Sequence, residues 1–318
     1  MLKSQTTIAL AGLLGGVASA LLVLAARQAV DATSTFLLIL AAMPVLICGL
    51  AYGSMASVLS LVATALTLHF AVGPDFAFVI LAQPLLPAAW LAHLANMARP
   101  ASEIGGPDNV MAWYPLSDML LQLCCLISFS NFVILSLTGY SEETASQLVD
   151  LLITIMKQQD PAFVMAPDVI LSMKSLYYYL LPLMQSAVWV VLIFAAYYFA
   201  ALIVRMSTKT LRPREDMPSV LRMNRYGIFL FFTGMVLMAI GRFYGVAGAV
   251  LCGAFGGGFL ISGLAVFHQR TRGKSWRMPA LVLAYMTIFF SAYLFVAVGL
   301  METRRAVALT PDNRNQPD

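Results

Sequence analysis

Charge is scarce in this chain: Asp, Glu, Lys and Arg make up 11% of its 318 residues, and there are three histidines. A soluble domain carries roughly 25% charge. With 60% of its residues hydrophobic, the chain cannot clothe a water-facing surface, so a soluble fold is excluded. Cys-x-x-Cys spacing is also missing. The four cysteines, Cys48, Cys124, Cys125 and Cys252, all fall inside apolar runs, where a thiol behaves as a small hydrophobe, and they signal no disulfide framework and no metal. Nucleophile elbow, His-Glu-x-x-His, P-loop and dinucleotide fingerprint are all absent. No catalytic residue and no cofactor is therefore assigned, and a membrane-embedded enzyme ranks last among the functional readings. The net charge of +4 comes from short basic loops rather than a basic face, which argues against nucleic acid as a partner.

What the sequence does hold is long apolar runs, each of about 20 residues and able to cross ~30 Å of hydrocarbon. They are continuously apolar rather than alternating, so they read as helices and not as barrel strands. The fold class is all-α: a polytopic transmembrane helix bundle of eight or nine spans, in contact with the lipid bilayer. Candidate spans cover 6–26, 34–53, 55–73, 76–97, 117–139, 176–204, 226–241, 243–267 and 278–301. The first is read as a retained span, because its apolar run continues past Ala18-Ser19-Ala20 to Ala26. Tyr52-Gly53-Ser54 and Arg242 are so short as separators that each pair of runs reads as a tight hairpin, with a partly re-entrant pair as the alternative. Residues 1–305 form one transmembrane domain, and the polar, proline-containing tail 306–318 reads as disordered.

Lysines and arginines set the orientation. Six lie between Arg205 and Arg225 and four between Arg270 and Arg277. Placing both loops in the cytoplasm puts the N-terminus there too, and the acidic 141–175 stretch outside. This is the pattern of a multi-pass bacterial inner-membrane protein. Nine spans, however, leave Arg304 and Arg305 on the wrong side. Within 141–175, Ser141 can cap a helix with Glu142 and Glu143 in its first turn, and Leu148, Leu151, Leu152, Ile155 and Met156 fall on one stripe. An amphipathic extracytoplasmic helix is expected.

Two features mark the spans themselves. Gly12, Gly16 and Ala20 in the first run, and Gly245, Ala249, Gly253 and Gly257 in the eighth, repeat at four-residue spacing. Such smooth faces suit close helix packing within the chain or the docking of another membrane subunit. Prolines lie inside spans at Pro44, Pro84, Pro87 and Pro182, each freeing a carbonyl. Gln83, Asn131, Gln185 and Ser186 lie near these kinks and are the candidate ligand-binding residues, suited to an uncharged or zwitterionic molecule because no ionisable group is expected at their depth. Satisfying one another and the kinked backbone is the alternative role for them. The other polar residues in the runs include His93; of them, Asp118, Arg242 and His268 fall at span ends and read as anchors, while Gln122 and His69 read as deeper, with Asn131.

Met43-Pro44-Val45-Leu46 with Gly49 and Gly53, Gly263-Leu264-Ala265-Val266-Phe267-His268, and Gly299-Leu300 before Glu302 and Arg304-Arg305 resemble the YybS-like family of bacterial polytopic membrane proteins, as found in alphaproteobacteria. That family is similar to the substrate-binding subunits of energy-coupling-factor vitamin transporters and to MreD-like envelope proteins. In the former, a small-residue face on the first span docks a coupling subunit, which the resemblance maps onto Gly12, Gly16 and Ala20. The expected function is a transporter-like permease or substrate-binding membrane component, with a scaffold of envelope assembly as the alternative.

Overall fold

The structure is a computed structural model that describes residues 4–29, 32–160, 163–207 and 212–311. It is a helix bundle. Among the described residues, seven helical stretches are long and apolar enough to cross a membrane: α1 (Gln5–Gln28), α2 (Ala32–Tyr52), α3 (Ser54–Ala71), the continuous stretch from α4 (Pro74–Ile80) to α5 (Leu86–Ala95), α6 (Leu116–Leu137), α8 (Pro167–Ser207) and α11 (Arg242–Arg270). The amphipathic α7 (Glu142–Gln159) lies between α6 and α8, a short turn α9 (Met217–Val220) precedes α10 (Tyr226–Ile240), and α12 (Arg277–Met286) and α13 (Ile288–Met301) follow α11. Three short antiparallel strands complete the described fold: β1 (Ala98–Pro100), β2 (Val110–Trp113) and β3 (Leu309–Pro311), in that order across the sheet.

The small-residue faces are used inside the chain. Gly12 and Gly16 of α1 are buried against Ala56, Leu59, Ser60 and Ala63 of α3, and Ala20 is fully buried. On α11, a side chain at Gly245, Gly253 or Gly257 would meet Tyr179, Leu183 or Ala187 of α8, and Ala249 is fully buried. Without side chains in the way, the backbones approach closely, which suits association where lipid leaves little hydrophobic drive between helices. Both expected hairpins form. Gly53 turns between α2 and α3 at φ 90°, a conformation that favours glycine. Gly241 (φ 78°) and Arg242 (φ 53°) turn between α10 and α11, where the Arg242 N–H donates to the Tyr179 hydroxyl at 3.0 Å.

Two of the proline-containing spans recruit a neighbour to a freed carbonyl. Around Pro84 the chain forms one π turn, Leu81–Leu85, and the Leu86 N–H bonds back to the Leu81 carbonyl. The Ala82 carbonyl thus loses its normal partner, and the next N–H position is Pro87, which has none. Ser130 of α6 donates to it at 2.6 Å. In α8, Pro182 deprives the Tyr178 carbonyl, and the Tyr140 hydroxyl donates to that oxygen at 3.1 Å.

Three expectations are altered. The single span expected over 278–301 is a pair, α12 and α13, bent by 111° at Thr287. Arg277 follows directly from α11, and Glu302 beyond α13 returns to pair with Arg270 and to within 3.9 Å of Arg222, so the pair enters and leaves at one end of the bundle. The tail expected to be disordered from 306 forms β3 over Leu309–Pro311, because β2 offers a free edge and Trp113 Nε1 donates to Thr310 Oγ1 at 2.8 Å; residues 312–318 lie outside the described residues. On α7, Ser141 accepts from the Thr144 N–H at 3.4 Å as a cap. Its buried line, however, is Ala145, Val149 and Ile153, so Leu151, Ile155 and Met156 point outward.

Candidate functional site

Of the four polar residues expected near the kinks, the fold brings three together. Gln83 Nε2 donates to Asn131 Oδ1, Asn131 Nδ2 donates to Ser186 Oγ at 2.8 Å, and Ser186 Oγ donates to the Pro182 carbonyl at 2.8 Å. All three side chains are buried. The chain of bonds ties the π turn, α6 and α8 together and ends on a backbone oxygen. None of the three lines the principal cavities. Gln185, one residue before Ser186, is exposed on the outer surface of α8.

A larger concavity lies elsewhere, at the end of the bundle where α6 and α10 begin. It encloses about 620 Å³ and is lined by Tyr114, Asp118, Leu121, Gln122, Asn224, Arg225, Tyr226, Thr303, Arg304 and Arg305. Pro115 starts α6, which sets Asp118 in its first turn facing inward, where a carboxylate also favours the helix dipole. Asp118 is 8% exposed. It accepts from Asn224 Nδ2 at 2.5 Å and from Arg305 Nε at 2.8 Å. A carboxylate so buried requires such partners. Arg305 is delivered by the stretch between α13 and β3, whose Arg304 N–H donates to the Met223 carbonyl at 3.2 Å.

The walls are braced from behind. Tyr114 accepts from Gln122 Nε2, and Trp90 Nε1 donates to Gln122 Oε1 at 2.7 Å. Burial, with the Asp118 charge second, raises the Tyr114 phenol above its ordinary range, so it stays protonated. Arg212 is buried and donates to the Ala95 carbonyl at the end of α5 and to the Tyr114 carbonyl at 3.0 Å, while pairing with Glu215 at 2.6 Å. In a separate concavity that Asp216 and Arg272 line together, hydrogen bonds from Arg272 hold the Asp216 carboxyl down to about 2. Arg225 and Arg304, by contrast, have no carboxylate partner among the described residues; Arg225 lies over the Tyr226 ring at 5.5 Å. The cavity therefore presents two guanidinium groups without a carboxylate partner among the described residues around one neutralised acid, with two phenols, two amides and a hydroxyl beside them.

Residues 17–301 match a family described as a predicted membrane protein, DUF2232. The chain belongs to DUF2232. No curated protein and no solved structure matches it, so the likeness to energy-coupling-factor subunits and MreD-like proteins gains no support from them. The DUF2232 match includes Asp118, Asn224 and Arg225 and stops before Thr303, Arg304 and Arg305. Sequence reasoning placed Asp118 as an anchor and read the arginines only as orientation signals. Arg304 and Arg305 stood out in the sequence through their misfit with a nine-span count and as part of the motif that carries the resemblance.

Proposed function

We propose that this DUF2232 protein is a non-enzymatic binding component of a bacterial inner membrane. It takes a phosphate-bearing or otherwise anionic molecule in the cavity around Asp118, with that end of the bundle facing the cytoplasm. The carrying observation is the pair Arg225 and Arg304, charged groups on a cavity wall with no carboxylate partner among the described residues. Guanidinium groups bind oxyanions in preference to water when charge-assisted bonds are available. Binding suits the site better than catalysis, because its only carboxylate is already committed to Arg305 and Asn224. The orientation follows from the distribution of charge. Arg27, Lys157, Lys174 and Arg242 lie toward the opposite end, and the other described lysines and arginines cluster here, as expected for a cytoplasmic face. The closed bonding of Gln83, Asn131 and Ser186 supports their structural role over a midplane substrate site.

The test uses the full chain in a neutral detergent, with glycerol 3-phosphate and, in mixed micelles, lysophosphatidylglycerol as probes. At least one should bind, with affinity falling as salt is raised, and the double variant Arg225→Gln/Arg304→Gln should lose most of that affinity while unfolding at the parent temperature without probe. Absence of binding by both probes, or binding that survives in the double variant, overturns the reading.

A further inference from the structure

The arginine-lined cavity does not end at its polar walls. One helical turn further along, between the same two helices, a second concavity of about 340 Å³ opens on the side of the bundle. Leu121 of the first cavity is followed on the same stripe of α6 by Cys125, Ser128 and Phe132 of the second, and Tyr226 on α10 is followed by Leu230. The floor is Leu251 and Phe255 of α11. The groove exists because α6 and α10 each pack on α11 but hardly on each other. From Leu121 to Phe132 it follows α6 for roughly 16 Å. Its lining is apolar apart from Ser128, whose hydroxyl is turned back onto the Cys124 carbonyl at 2.8 Å.

We propose that cavity and groove are one site, and that its ligand is an anionic amphiphile: a phosphate headgroup held by Arg225 and Arg304, with an acyl chain laid along the groove between α6 and α10. This rests on the anion-binding reading above and narrows its ligand. Charge complementarity fixes the head, and the continuity of the stripe fixes the direction of the tail, from the charged end into the hydrocarbon zone. A bulk lipid neighbour would cover any apolar helix face; the arginine cavity at one end of this groove is what selects among them. Hydrocarbon around the bundle is as apolar as the groove, so the groove adds affinity through van der Waals contact with a chain tethered to a held headgroup, and it should be visible in binding.

The experiment compares lysophosphatidylglycerol, lysophosphatidylcholine and glycerol 3-phosphate on the full chain in neutral detergent, in the parent and in two groove variants. Leu251→Trp fills the floor, and Cys125→Phe fills the wall from an exposed position that leaves the packed core untouched, so one variant remains informative if the other fails to fold. Lysophosphatidylglycerol should bind at least about tenfold more tightly than either other probe. Both folded groove variants should remove that advantage without changing any affinity for glycerol 3-phosphate. An advantage that persists in the variants, or equal binding of lysophosphatidylglycerol and glycerol 3-phosphate, overturns the groove while the anion site stands. Equal binding of lysophosphatidylcholine and lysophosphatidylglycerol overturns the pairing of charged head and groove. Loss of binding to every anionic probe overturns both readings.

Discussion

Removing the Asn131 amide strands the buried Gln83 amide, which loses its acceptor, while Ser186 loses a donor but keeps its bond to the Pro182 carbonyl. An unsatisfied buried polar group costs ~1–3 kcal/mol, although interhelical bonds in membranes average nearer ~0.6 kcal/mol, since stranded groups find substitutes. Asn131→Leu should therefore lower the unfolding midpoint of the purified protein, whereas Gln185→Leu, on the exposed side of α8, should stay within about 0.5 kcal/mol of the parent. Thermal unfolding in detergent checks this, and equal losses would contradict the structural role given to Asn131. The cluster was legible in the sequence because an amide in an apolar run must find a partner. Gln185 misled because one step along a helix rotates a side chain by ~100°, and α8 is too uniformly apolar to show which side faces in. Asp118 and Arg305 were illegible as a pair: 187 residues separate them, and no local pattern spans such a distance.

Among the elements, α11 carries the tightest approach. A leucine at Gly253 would occupy the place of the Leu183 backbone in α8, and one at Gly16 the place of the Ser60 carbonyl in α3. Backbone cannot yield as a flexible side chain does, so Gly253→Leu and Gly16→Leu should each cost ~1–3 kcal/mol or more through overpacking. Leu14→Ala changes a residue that is 68% exposed and should cost far less. Monodisperse yield and unfolding midpoint report the difference; comparable values for all three variants would refute it. Spacing alone revealed these faces, and apolar length alone revealed the spans. The break between α12 and α13 stayed hidden because Met286-Thr287-Ile288 interrupts the apolar run with neither proline nor glycine. The register of α7 was missed for a related reason. Its apolar residues cover more than one face, and only packing selects Ala145, Val149 and Ile153 as the inner one.

For the whole molecule, the return of α12 and α13 to one end resolves the conflict that nine spans created, since Arg304 and Arg305 join the other arginines. Reporter fusions at Lys274 and Val307 should give the same reading, cytoplasmic in the orientation proposed, and a fusion at Gln158 the opposite one. A split between Lys274 and Val307 would mean that α12 and α13 cross the membrane after all. The shared end has a further consequence, in the order of synthesis. Asp118 is made 106 residues before Asn224 and 187 before Arg305. At about 5–20 residues per second the ribosome needs roughly ten to forty seconds to supply that arginine. Until Asn224 is made, Asp118 has neither of its partners, and the pocket closes only when the stretch leading to β3 folds back to bring Arg305 onto the first-made half of the bundle.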